Sequence, residues 1–162
     1  MSVTEFKKLF NEIATSEQWQ KICDGWLNQE RETDECTVFI NLEKSNYGKL
    51  YYVGIGVFVR NAFGHSLDST DMRVFKQPTL YRRHPTELDP VFDLRNELSS
   101  QSRREGVLDF FKFMTPFADR ARTVLGITEL SKDGLLFIAP GVKQELERLM
   151  LAVNNDRNRP SR

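Results

Sequence analysis

Side chains able to do chemistry are sparse in this chain, and their spacing assembles no catalytic or metal site. His65 and His84 are its two histidines, and neither has a partner at the i, i+4 or Cys/His spacing that zinc requires. His65 lies between Gly64 and Ser66, and His84 follows Arg82 and Arg83, so both read as exposed loop histidines. Cys23 and Cys36 also stand outside any metal-ligand spacing. Glu43, Lys44, Ser45 and Tyr47 cluster in one short stretch. Ser–Lys or Lys–Tyr pairs do nucleophilic or acid–base work when buried, whereas a turn exposes them. Gly54 and Gly56 form Gly-x-Gly without the third glycine and helix start of a phosphate loop. On a strand they share one face and leave a lane without side chains, open to the domain's own helix or to a ligand. Arg73, Lys76, Arg82 and Arg83 offer donors to an acidic or phosphorylated partner. Glu87, Asp89 and Asp93 follow closely and cancel most of that charge, which favours a solvated surface. There is no Gly-x-Ser-x-Gly elbow. The residues therefore name no catalytic group, metal or cofactor, and the binding candidates are Tyr47, Gly54, Gly56, His65, Arg82 and Arg83.

Composition narrows the class of protein that must position them. The chain has 162 residues, a length that suits one domain with a sizeable core. Lys plus Arg and Asp plus Glu number 23 each, so no global field draws the chain to nucleic acid or an anionic membrane. No apolar run approaches the roughly 20 residues that span a bilayer, and the N-terminus lacks the layout of a signal peptide. A reduced, cytoplasmic protein is expected. Twelve phenylalanines predict an aromatic core, or an aromatic surface kept for a partner.

The elements follow from periodicity. Ser2-Val3-Thr4-Glu5 has the form of a capping box, and Val3, Phe6, Phe10 and Ile13 predict a helix over 3–14. Glu17 to Cys23 is ambiguous between helix and strand, Asp24-Gly25 signals a turn, and Trp26 to Arg31 begins the sheet. The clearest feature is a hairpin from Thr37 to Val59. Val38, Ile40 and Leu42 share one face of its first strand, and Tyr51, Val53, Ile55, Val57 and Val59 one face of its second. A slip by one residue would turn this aliphatic set to solvent, so the register is strongly specified. From Arg60 to Gln101 the pattern weakens, with short edge strands expected at Met72–Phe75 and Thr79–Arg83. Ser102 to Glu105 repeats the capping-box pattern and opens a helical stripe. Pro116 should kink or divide that helix, Gly126 should end it, and Leu135 to Ile138 reads as a strand. Pro140 opens a last helix, and 154–162 forms a polar, basic tail. The expected fold is α+β: over 1–153, a small antiparallel sheet centred on the hairpin, packed against N-terminal and C-terminal helices.

The stretch Cys36 to Val57 resembles the hairpin of a family of small bacterial proteins, domain of unknown function 4304. The matching positions are Trp26, then Ile40, Asn41, Leu42, Lys44 and Ser45, then Tyr52 to Val57. Glu43 stands where the family has Gln, and Gly54-Ile55 where it has Asn-Leu. The resemblance implies a bacterial, intracellular α+β domain and supplies no functional residue. Three functional readings follow. The first is a non-catalytic protein-binding module, in immunity form an inhibitor that occludes a toxin. The second is a small enzyme with a pocket of Tyr47, His65 and Arg82 between the hairpin tip and the 60–100 segment. The third, ranked last, is a nucleic-acid binder using the arginine cluster and tail. Oligomeric state has no signal in the sequence.

Overall fold

The computed structural model describes residues 1–23, 25–28, 34–64 and 78–157, with 153–157 as backbone only. The capping box forms as expected: Ser2 N donates to Glu5 Oε2 at 2.7 Å, and Glu5 N to Ser2 Oγ at 3.2 Å. It opens α1 (Val3–Ser16), which buries Phe6, Leu9, Phe10, Ile13 and Ala14 along one stripe. Among the described residues five strands follow: β1 (Gln20–Ile22), β2 (Gly25–Leu27), β3 (Cys36–Lys44), β4 (Tyr51–Val59) and β5 (Leu80–Arg83). Each pairs antiparallel with its sequence neighbours, giving the order β1-β2-β3-β4-β5. Four further α-helices follow, α2 (Asp89–Phe92), α3 (Ser100–Arg120), α4 (Val124–Lys132) and α5 (Pro140–Arg157), with short 3-10 turns at Ala62–Gly64 and Thr86–Leu88. The fold is α+β, as the sequence predicts.

The hairpin register runs from Cys36 opposite Val59 to Lys44 opposite Tyr51. It turns Val38, Ile40, Tyr51, Val53, Ile55, Val57 and Val59 to one face, all at most 2 % exposed. That face meets α1 and α3. Phe6, Phe10, Phe92, Phe110 and Phe111 are fully buried there, and their ring centroids lie 5.1 to 6.4 Å apart. Each such ring contributes about 1.5–3 kcal/mol by leaving water. Much of the phenylalanine excess is thus core.

Several expectations need correction. The ambiguous 17–23 stretch ends as β1, reached through Gln18 at φ 65°. The strand expected from Trp26 to Arg31 is described only as β2, because 29–33 fall outside the described residues, as does Met72–Phe75. Ser99, not Ser102, caps α3: Ser102 N donates to Ser99 Oγ at 3.0 Å. Of the two forms expected at Pro116, the helix takes the undivided one and runs as a single element to Arg120, with proline's missing N–H removing one ladder bond. Gly126 does not end that helix. It lies in the first turn of α4, where its N–H donates to the Thr123 cap. Leu135 to Ile138 forms no strand; Leu135 N bonds back to Leu130 O at 2.9 Å after Gly134 takes φ 72°. The expected tail at 154 is still helix, because α5 continues to Arg157.

The α3–α4 junction is pinned to the start of β3. Glu35 N and Cys36 N both donate to Arg122 O, Val124 N donates to Glu35 Oε2, and Arg122 pairs with buried Asp34 at 2.6 Å. Gly126 permits this junction, since a Cβ there would lie 1.8 Å from the Arg120 carbonyl oxygen. Gly126→Ala should therefore lower stability by about 1–3 kcal/mol through forced backbone movement. Gly141→Ala, in the first turn of α5 with no atom within 4 Å of the new methyl, should raise it by about 0.4–1 kcal/mol. Urea midpoints of the two variants check the opposite signs.

Candidate functional site

The sheet's second face is built by the parity that the core does not use. Cross-strand rows place Leu27, Phe39, Gly56 and Tyr81 side by side, and then Gly25, Asn41, Gly54 and Arg83. Glu43 and Tyr52 form the next pair toward the hairpin tip. The two glycines sit at the centre of these rows, but the lane between them is filled. A Cβ on Gly56 would lie 2.2 Å from Phe39 Cζ, so the Phe39 ring lies over Gly56. A Cβ on Gly54 would lie 2.3 Å from Asn41 Oδ1, 2.6 Å from Glu43 Oε1 and 3.0 Å from the Tyr81 ring. Residues directly opposite across an antiparallel pair are close enough for a large side chain to fold over a glycine. Neighbouring strands, not a helix or a ligand, occupy the space.

Around Gly54 this crowding makes a polar patch. Tyr81 donates its hydroxyl proton to Glu43 Oε1 at 3.1 Å, and Asn41 Nδ2 donates to the same oxygen at 3.3 Å. Burial first, and then the Glu43 charge, push the Tyr81 phenol above its ordinary pKa. The Arg83 guanidinium stacks on the Tyr52 ring, 4.1 Å from its centroid. Tyr81 remains 44 % exposed.

The other expected site residues are dispersed. Tyr47 is 88 % exposed at the hairpin tip, where Gly48 takes φ 117° and Tyr47 N donates to Ser45 Oγ. The turn encloses only an open depression of about 460 Å3, lined by Lys44, Ser45, Asn46, Gly48 and Lys49. Arg82 stands opposite Ile55 and faces the helices, away from Arg83. Its Nε donates to Arg83 O at 3.1 Å and its terminal nitrogen to Leu135 O, while the guanidinium lies over Phe113 and Phe117. The expected solvated cluster is therefore split, with Arg82 half-buried on one face and Arg83 on the other. Tyr47 and Arg82 do not converge. His65, Arg73 and Lys76 lie outside the described residues.

His84 corrects the reading of an exposed loop histidine: it is 4 % exposed. Its backbone N–H donates to Val53 O, and Val53 N donates back to His84 Nδ1, both at 3.0 Å. The ring thus supplies the acceptor that ends the β4–β5 ladder. Because Nδ1 accepts, the proton sits on Nε2 and is donated to Asp89 Oδ1 at 2.9 Å. With both nitrogens committed, His84 is no free base. The Cys36 thiol is equally inert, since burial, with Glu35 and Asp34 adding to it, pushes its pKa far up.

Arg103, in the first turns of α3, is buried at 1 % exposure. It donates to the Val91 carbonyl, to Asp93 O at 3.2 Å and to Asn96 Oδ1 at 2.8 Å. It thereby holds the 90–96 strap, whose Leu94 N bonds Lys49 O beneath the hairpin turn. One sequence signal was present: Arg103 precedes Val107, Phe110 and Phe111 at i+4, i+7 and i+8, so it continues the buried stripe of α3. For His84 no such signal exists.

Among the described residues no group of three or more His, Cys, Asp or Glu could hold a metal, and no helix is long and apolar enough to cross a membrane. Comparison with known proteins finds no matching family model, no similar curated protein and no similar solved structure.

Burial lowers the His84 pKa below its ordinary 6.5, outweighing the opposing pull of Asp89. The unfolded chain then binds more protons than the folded one as pH falls through 6.5. Stability should be full above that value and decline below it. His84→Asn keeps an acceptor for Val53 N, should lose some stability at neutral pH, and should flatten the decline between pH 7 and 5; urea melts across that range test this.

Proposed function

We propose that this protein is a non-catalytic protein-binding module whose contact surface is the second sheet face, centred on Tyr52, Tyr81 and Arg83. One observation carries the reading. The ionisable groups of this face are engaged with one another, Glu43 with Tyr81 and Asn41, and Arg83 with Tyr52, and the histidine beside them is locked. What the face offers outward is Tyr and Arg on a rigid sheet, the residue types that dominate binding hot spots. Its side chains are already ordered, which limits the entropy lost on association. The form we carry forward is an immunity-type inhibitor that occludes a toxin, a step resting on analogy between small α+β domains. A bacterial, cytoplasmic setting belongs to the same proposal.

Immobilised protein should retain a partner from lysate of its source, including any toxin encoded beside it. The Tyr52→Ala/Tyr81→Ala double variant, verified as folded by circular dichroism, should weaken that binding by roughly 30-fold, the loss of about 2 kcal/mol of hot-spot contact. Retention of no protein, or equal retention by the variant, would count against this surface.

A further inference from the structure

The β4–β5 ladder determines which backbone groups of β5 are spent. His84 and Val53 form a hydrogen-bonded pair through His84 N and Val53 O. Hydrogen-bonded pairs alternate along an antiparallel ladder, so Arg82 with Ile55 and Leu80 with Val57 are the next two. The N–H and C=O groups of Arg82 and Leu80 therefore turn inward, and those of Tyr81 turn outward. β5 is the last strand of the sheet, and among the described residues nothing pairs with its outer edge. Arg83 N also turns outward, while Arg83 O accepts from the Arg82 side chain.

The two arginines bracket this edge, with which no described residue pairs. Arg82 projects on the helix side and Arg83 on the opposite side, and neither forms an ion pair among the described residues. Arg82 lies over Phe113 and Phe117 while donating to the Arg83 and Leu135 carbonyls, and Arg83 lies over Tyr52. A second copy of β5 is a poor occupant, because antiparallel pairing of two such edges gathers four guanidinium groups. A strand carrying adjacent carboxylates fits instead. Successive side chains of an extended segment point to opposite faces, so two consecutive acidic residues would meet Arg82 and Arg83 one on each side.

We propose that the outer edge of β5 is a strand-addition site for an extended acidic segment of a partner protein, held by the Tyr81 backbone and by Arg82 and Arg83. This rests on the protein-binding reading and specifies the chemistry of the partner. Arg82 occupies the position of the added ladder where side chains approach closest, and Arg83 the adjoining one.

The test titrates isotope-labelled protein with the capped hexapeptide Thr-Val-Glu-Glu-Val-Thr, followed by amide NMR shifts. The expected result is saturable shifts centred on the Tyr81 and Arg83 amides, weakened by added salt. The Lys-Lys counterpart should give none, and Arg83→Ala, an exposed substitution, should bind roughly tenfold more weakly. N-methylation of the central Glu amides should abolish binding, since it removes the ladder and keeps the charge. The proposal is overturned by any of four results: absence of shifts at millimolar peptide, equal shifts with the Lys-Lys peptide, shifts at the hairpin tip instead, or broadening of the Tyr81 and Arg83 amides with protein concentration alone. A captured partner that the Glu-Glu peptide does not displace would also sink the edge site while leaving the broader binding reading intact.

Discussion

The alternation of side chains along β3 and β4 is the constraint from which the rest of the molecule follows. One parity is aliphatic without interruption from Val38 to Ile40 and from Val53 to Val59, and burying it requires the aromatic stripes of α1 and α3 on that face. The same alternation sends Phe39, Asn41, Glu43, Tyr52, Tyr81 and Arg83 to the other face. The candidate surface is therefore a by-product of the core's register.

Polar burial in this protein serves to fasten segments. His84 terminates a ladder, Arg103 gathers the carbonyls of the strap, and Asp34 with Arg122 fixes a helix junction to the first residues of β3. Each group spends its hydrogen bonds on the segments it joins, as buried polar groups must. On the opposite sheet face, the Tyr81 and Arg83 side chains remain exposed.

Features with a short period were legible from residues alone: the capping box at Ser2, the stripe of α1, the hairpin with the apolar parity of each strand, and the α+β class. Where the outcome depended on a partner far away in the chain, the residues were silent. His84 is buried because Val53, 31 positions earlier, needs an acceptor. Arg82 leaves the solvent because the Leu135 carbonyl and the rings of α3 wait across the interface. The start of α3 moved to Ser99 because two serines three apart offer equivalent caps, and only packing chooses between them. The glycine lane misled for a related reason: an empty strip on one strand says nothing of what the opposite strand will lay across it.

Phe39 lying over Gly56 has a consequence for how this protein can vary. The ring is 1 % exposed, and it occupies the volume that any side chain at position 56 would claim. Neither position is free alone: enlarging 56 evicts the ring, and shrinking 39 uncovers bare backbone at the middle of the sheet. The two sites, seventeen residues apart, behave as one unit of heredity, and drift at either is confined to paths that pass through both.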